Sequence, residues 1–212
     1  MENFISDIKK LNDNNHKSQF PELQQSGIEG SSKHNEGICQ LIKKSNIQVN
    51  TVLDIACGHG NHINALHNAF GSFCIGIDKI EFKEWNKFSN KNIHFIKKDI
   101  DNIIHHVNCK EKFDVILTMN TLRGYPKRFP DEYLTTFLDW CKSNSDYLIT
   151  NNCLGSSGAS ELAYNTFPNA KKILPAILSR GYELILSHTP TFTHINDKVF
   201  DINLLKVIRW KK

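Results

Sequence analysis

Three kinds of chemistry meet in residues 52–62, VLDIACGHGNH. Gly58 and Gly60 let backbone pass close to a ligand, because a Cβ would block both the approach and the left-handed dihedrals. Cys57, His59 and His62 are residue types that ligate metals. Asp54 is a carboxylate inside an apolar run, Val52–Ala56, that ends at the turn. A helix-like stretch, Asn61 to Leu66, follows at once. Strand, glycine turn and helix in that order mark a place where backbone meets a ligand. A phosphate, a metal and a nucleoside without phosphate are all open at this point.

The competing ligands ask for residues that are missing. A dinucleotide turn wants a third small residue where Ile63 stands, and a phosphate loop needs G-K-[ST]. For a metal, no second cluster completes the four ligands begun by Cys57, His59 and His62. His105, His106 and Cys109 read as an exposed helix end. No metal is expected.

These residues need elements to position them. From residue 51 short β-rich runs appear at Thr51–Ala56, Ser72–Ile77, Ile93–Ile96, Phe113–Met119 and Asp146–Thr150. Helix-like segments lie between them at about 60–69, 81–89, 100–107 and 131–143, with a further one at about 169–180 ending at Gly181. Tyr133, Leu134, Phe137, Leu138, Trp140 and Cys141 share one side of a helical period, behind Asp131 and Glu132 at the dipole-favoured start. Upstream, a short helix at about 3–12 and another at about 35–45 flank a loop, 18–37, rich in glycine and poor in apolar periodicity. Alternating strands and helices imply parallel units with right-handed crossovers. Tyr182–Ser187 and Val199–Arg209 have no helix between them and should pair antiparallel. The expected fold is α/β: a Rossmann-like three-layer α/β/α sandwich of about seven strands, mostly parallel with the last antiparallel. Ligands bind such sheets at the carboxyl ends of the strands.

VLDIACGHG, then GID at 76–78 and KKD at 97–99, resembles the class I S-adenosylmethionine-dependent methyltransferases over about residues 35–210. The resemblance implies S-adenosylmethionine as cofactor and S-adenosylhomocysteine as product. It also implies that the turn of Ala56, Gly58 and Gly60 lies against the methionine part while Asp54 helps to hold its amino end. Ala56 departs from the glycine common there. Asp78 would accept from the ribose hydroxyls, as carboxylates do in dinucleotide sites. Ile80 would cover the adenine; Asp99 would accept from its exocyclic amine, with Ile100 donating its backbone N–H. Thr118 and Asn120, ending the fourth strand, would complete the cofactor contacts. Read alone, Asp78 is a strand-end turn residue and Asp99 a helix N-cap.

The acceptor is less legible. By the same resemblance, substrate contacts come from the N-terminal segment and from TMNTLRGYP, 118–126, and NNCLGSSGAS, 151–160, with Asn120 and Thr121 near the methyl group and Arg123 and Tyr125 on the substrate side. Asn120, Tyr125, His188 and His194 are the catalytic candidates, a histidine there being a possible general base. The fourth strand does not end in [DN]-P-P-[YF], no proline–cysteine pair is present, and the Lys-Asp-Lys-Glu set of ribose methylation fails. What remains is a small-molecule enzyme or a protein modifier that relies on positioning, and of these a small-molecule acceptor methylated at oxygen or nitrogen is expected. An RNA methyltransferase and a non-catalytic binding module are the alternatives.

Composition bounds the rest. With 212 residues, 40% of them hydrophobic, the chain can bury a full core. Net charge is +4 with the cations scattered, whereas a nucleic-acid footprint is a dense basic stripe. No stretch approaches the roughly 20 apolar residues that cross a bilayer, and the first residues lack a signal-peptide core. The six cysteines show no C-x-x-C spacing, so reduced thiols and a cytoplasmic location are expected. Residues 1–46 are expected to be a helical lid segment with a mobile loop that excludes water from the site, and 47–212 the cofactor-binding domain.

Overall fold

The computed structural model describes residues 1–11, 32–119, 121–124, 131–155, 170–188 and 199–207. Helices α1 (Glu2–Lys10) and α2 (Ser32–Ser45) precede the alternating part. There β1 (Thr51–Ile55), α3 (Asn61–Phe70), β2 (Phe73–Asp78), the single turn α4 (Trp85–Phe88), β3 (Ile93–Lys97), α5 (Ile100–His106) and β4 (Phe113–Thr118) follow. A 3-10 turn (Thr121–Gly124), α6 (Asp131–Asn144), β5 (Ser145–Gly155), α7 (Ala170–Leu178), β6 (Tyr182–His188) and β7 (Val199–Val207) complete the order.

The strands form one sheet in the order β3-β2-β1-β4-β5-β7-β6. β1 to β5 run parallel to one another, and β7 runs antiparallel between β5 and β6. Parallel strands covered on both faces read as continuous apolar runs, and Val52 to Ile55 are buried throughout. Strand alternation sends Leu53 and Ile55 into one core with Phe4 and Ile8 of α1, Ile103 of α5, Phe137 of α6 and Ile177 of α7. Val52 turns to the opposite core with Ile38, Leu41 and Ile42 of α2 and Ile63 and Leu66 of α3. The result is the expected three-layer sandwich, with helices covering each face of the sheet.

Several local expectations are corrected. The 81–89 helix shrinks to one turn, because Trp85 stacks on Phe95 and Ser89 leaves the helical conformation while its hydroxyl binds the Trp85 carbonyl. β5 does not stop at Thr150. It continues to Gly155 because antiparallel β7 supplies ladder partners as far as Val199, so 151–155 of the expected 151–160 loop are strand. α2 begins at Ser32, inside the expected 18–37 loop, whose residues 18–31 lie outside the described ones. Both N-terminal helices pack into the cores that cover the sheet. Among the described residues no helix is long and apolar enough to cross a membrane.

Candidate cofactor site

The site is built at the carboxyl ends of β1, β2 and β4. After Ile55 the chain turns through positive φ at Ala56 (58°), Gly58 (53°) and Gly60 (82°) before α3 begins. The turn is pinned from several sides. Cys57 N–H donates to the Ile77 carbonyl at 3.0 Å and Gly60 N–H to the Cys57 carbonyl at 3.0 Å. Gly58 N–H donates to Asp78 Oδ2 at 2.9 Å, and Trp85 Nε1–H donates to the Gly58 carbonyl at 2.7 Å. Among the described residues, a Cβ on Gly58 would meet nothing within 4 Å, so this part of the turn faces open space between them.

Close packing beneath the turn comes from a glycine on the strand. A Cβ on Gly76 would come within 2.7 Å of Ile63 Cδ1 and 2.8 Å of Cys57 Sγ. The bulk of Ile63 at the start of α3 thus fits because β2 is bare opposite it, the reverse of placing the small residue on the helix.

Ala56 holds a left-handed conformation that costs a non-glycine residue roughly 1–2 kcal/mol. Its side chain is exposed, so a glycine there forfeits no core packing. Ala56→Gly is expected to stabilise the fold by about 1 kcal/mol after the extra chain entropy of glycine, raising Tm by about 2–4 °C. Thermal unfolding checks this; an unchanged or lower Tm would mean that the turn imposes no strain on Ala56.

Asp54 lies in the buried part of β1 before the turn, only 1% exposed, and among the described residues its Oδ2 has no hydrogen-bond partner. Burial, reinforced by the charge of Asp78, holds its pKa well above the ordinary carboxylate value. The neighbouring Cys57 and Cys74 thiols are pushed up by burial first and by Asp54 second, Cys74 to about 12, so both are neutral. Because folding raises the Asp54 pKa, its contribution to stability is complete below the unfolded value and is lost as pH rises through the folded one. Asp54→Asn is therefore expected to raise Tm at neutral pH and flatten the decline of stability from acid to neutral. A pH series of melting curves on both proteins tests it, and parallel curves would refute it.

Asp78 is half-buried where β2 ends. Its Oδ2 accepts from Gly58 N–H and its Oδ1 from Ile80 N–H at 3.0 Å. Burial raises its pKa, and those two amides pull the other way. Each carboxylate oxygen can accept a second hydrogen bond, so the group is held rigidly with capacity to spare. Asp99 serves as the N-cap of α5, its Oδ1 accepting from Asp101 N–H at 3.1 Å, and Ile100 opens that helix. Ile80 and Ile100 are half-buried.

At the end of β4, Thr118 is fully buried, its Oγ1 without a partner among the described residues, and its carbonyl accepts from the Thr150 hydroxyl at 3.3 Å. Thr121 donates to the Ile55 carbonyl at 3.2 Å, tying the turn after β4 to the end of β1. Asn120, Tyr125 and His194 lie outside the described residues, as does the Arg123 side chain. His188 ends β6, which stands four strand spacings from β1, roughly 19 Å across the sheet. Burial and then Lys44 lower its pKa, with Glu36 opposing, so it faces α2 and is not brought to the glycine turn.

The turn's own histidines have other partners. His59 Nδ1 pairs with Glu84 at 3.1 Å, and His62 Nδ1 bonds Asn35 of α2 at 2.5 Å. Among the described residues no three histidine, cysteine or acidic groups come together to hold a metal ion. Sequence reasoning missed Gly76, Trp85 and Lys98. Gly76 stood in plain view inside GID, but the need for a bare strand beneath Ile63 is a contact between segments and leaves no local signal.

The methyltransferase domain family matches residues 48–183, well over half of the chain. The chain belongs to that family. No curated protein matches this methyltransferase-domain chain. Among solved structures, it resembles a Burkholderia thailandensis 1,6-didemethyltoxoflavin-N1-methyltransferase, crystallised with 1,6-didemethyltoxoflavin and S-adenosylhomocysteine. That match has 14% identity and a TM-score of 0.61 over 84% of this chain and 79% of that one. The N-methyltransferase NodS of Bradyrhizobium japonicum matches at 14% identity and 0.60, over 85% and 100%. A putative RNA methyltransferase of Pyrococcus horikoshii matches at 15% and 0.58, over 98% and 96%. At these identities the likeness is one of fold, and it agrees with the class I architecture that the motifs implied.

Proposed function

We propose that this methyltransferase-domain protein transfers the methyl group of S-adenosylmethionine to a small-molecule acceptor, at oxygen or nitrogen. The observation that carries the reading is Asp78, a carboxylate fastened by the amides of Gly58 and Ile80 at the lip of an open glycine turn. A ribose diol is the ligand that such a fixed double acceptor suits. S-adenosylmethionine supplies an activated methyl group on a sulfonium. In this reading Ala56, Gly58 and Gly60 give it close backbone, and Asp54, buried and short of a donor, attracts its amino end. Ile80 covers the adenine, Asp99 keeps a second oxygen for the adenine amine, and Ile100 offers its N–H. Thr118 and Asn120 bound the methyl side. Asn120, Tyr125, His188 and His194 are the candidates for handling the acceptor's proton, His188 only if the acceptor extends toward β6. Orientation of the acceptor for in-line transfer can supply much of the rate without a strong base. Residues 47–212 form the cofactor-binding part in this reading and 1–46 flank it. Cytoplasmic action suits the free thiols of the described cysteines.

Titration calorimetry with S-adenosylhomocysteine tests the cofactor, and transfer of labelled methyl from S-adenosylmethionine into a metabolite extract tests the acceptor class. Binding with labelled metabolite is expected. Absence of binding overturns the reading, and binding without transfer to any pool leaves a non-catalytic module. Label in RNA, with a steep loss on adding salt, would favour the RNA alternative that the Pyrococcus likeness keeps in view.

A further inference from the structure

We infer that Lys98 is a positioning residue that couples the docking of α1 to occupancy of the cofactor site. The inference rests on the reading of Asp78 and Asp99 as cofactor ligands. Lys98 follows β3 and is only 7% exposed, an unusual place for an ammonium group unless it is paired. Its Nζ donates to the Leu11 carbonyl at 2.7 Å, just past the last turn of α1. A cation there is favoured by the carbonyl end of the helix as well as by the bond itself. The backbone of the same residue belongs to the site: Lys98 N–H donates to the Asp78 carbonyl at 2.8 Å, and Asp99, next in sequence, caps α5.

α1 depends on such contacts. A helix of nine residues is marginal by itself, and its docking rests on buried Phe4 and Ile8 at one side and on Lys98 at its end. Phe4 meets the Phe113 ring edge-on at 5.2 Å. A ligand that restrains Asp78 and Asp99 restrains the backbone of 98 between them, and with it the stem that reaches Leu11. Coupling of this kind is reciprocal: docking of α1 raises the affinity for the ligand by the same factor as the ligand raises the docking equilibrium of α1, so a variant that undocks α1 weakens binding by up to that factor.

Two variants and one exchange measurement test this. Lys98→Met keeps the aliphatic stem and removes the ammonium; Phe4→Ala loosens α1 at its edge-on contact with Phe113, away from the Lys98 ammonium. Both are expected to weaken S-adenosylhomocysteine binding by about fivefold or more in calorimetry. In the wild-type chain, S-adenosylhomocysteine is expected to slow hydrogen exchange in residues 2–11. Wild-type affinity in both variants would overturn the coupling. So would loss in Lys98→Met with full affinity in Phe4→Ala, since that pattern means direct contact with the ligand. Unchanged exchange in α1 overturns it even if Lys98→Met fails to fold. If the wild-type chain does not bind S-adenosylhomocysteine at all, the cofactor reading itself fails.

Discussion

Asp78→Ala is expected to weaken S-adenosylhomocysteine binding by about a hundredfold or more, since hydrogen bonds to a charged acceptor contribute about 1.5–3 kcal/mol each. The loss should come without a matching loss in the stability of the ligand-free protein. Burial raises the Asp78 pKa despite its two amide bonds, so the fold holds this charge at a net cost. In sign, the Asp78 contribution to stability is present below the unfolded pKa and declines as pH rises through the folded one. The ligand-free variant should therefore melt no lower at neutral pH than at acid pH relative to wild type. Asp78→Asn is the sharper control. Its amide oxygen can still accept from one of Gly58 or Ile80, but its NH2 then confronts the other donor. Calorimetry and melting curves on the three proteins decide the matter. Intact binding in Asp78→Ala would remove the ribose role, and a large fall in Tm would make the residue mainly structural.

Gly60→Ala is expected to be the most damaging single methyl in the turn. Two costs combine: the left-handed φ of 82°, and a Cβ that would stand 2.5 Å from the Cε1 and Cζ carbons of Phe95. That ring is constrained by Trp85, which stacks on it at 5.1 Å with the planes 11° apart. Strain and overpacking together amount to about 2–5 kcal/mol. The double variant Gly60→Ala with Phe95→Leu should recover the overpacking part and leave the backbone part, so the two effects will not add. Gly58→Ala provides the contrast. Its Cβ meets nothing within 4 Å among the described residues, so only the backbone cost of about 1 kcal/mol falls on stability. The methyl would project into the opening, and the larger effect should be on S-adenosylhomocysteine binding. Equal stability losses at the two glycines would contradict this division.

What local patterning can carry was legible in the chain itself. The apolar run of β1 is a run because both faces of a central parallel strand are covered, and period alone marks it. The glycines at 58 and 60 announce positive φ because few other residues accept it, and acids at the ends of GID and KKD announce strand ends. Those features name the family and the side of the sheet where a ligand belongs. Dependence on partners far along the chain was decided only by the tertiary structure. β5 reaches Gly155 because β7 lies beside it, and Trp85 at the start of α4 is held by Phe95 and the Gly58 carbonyl. His188 and the glycine turn looked equally available in the sequence, yet strand order separates them across the sheet. Asp78 shows both sides at once. Its type and position suggested a ribose acceptor, but only folding reveals that the same carboxylate ties down the turn it was expected to serve. Hydrophobic period and backbone dihedral are properties of neighbours in the chain, whereas hydrogen-bond partners are properties of neighbours in space.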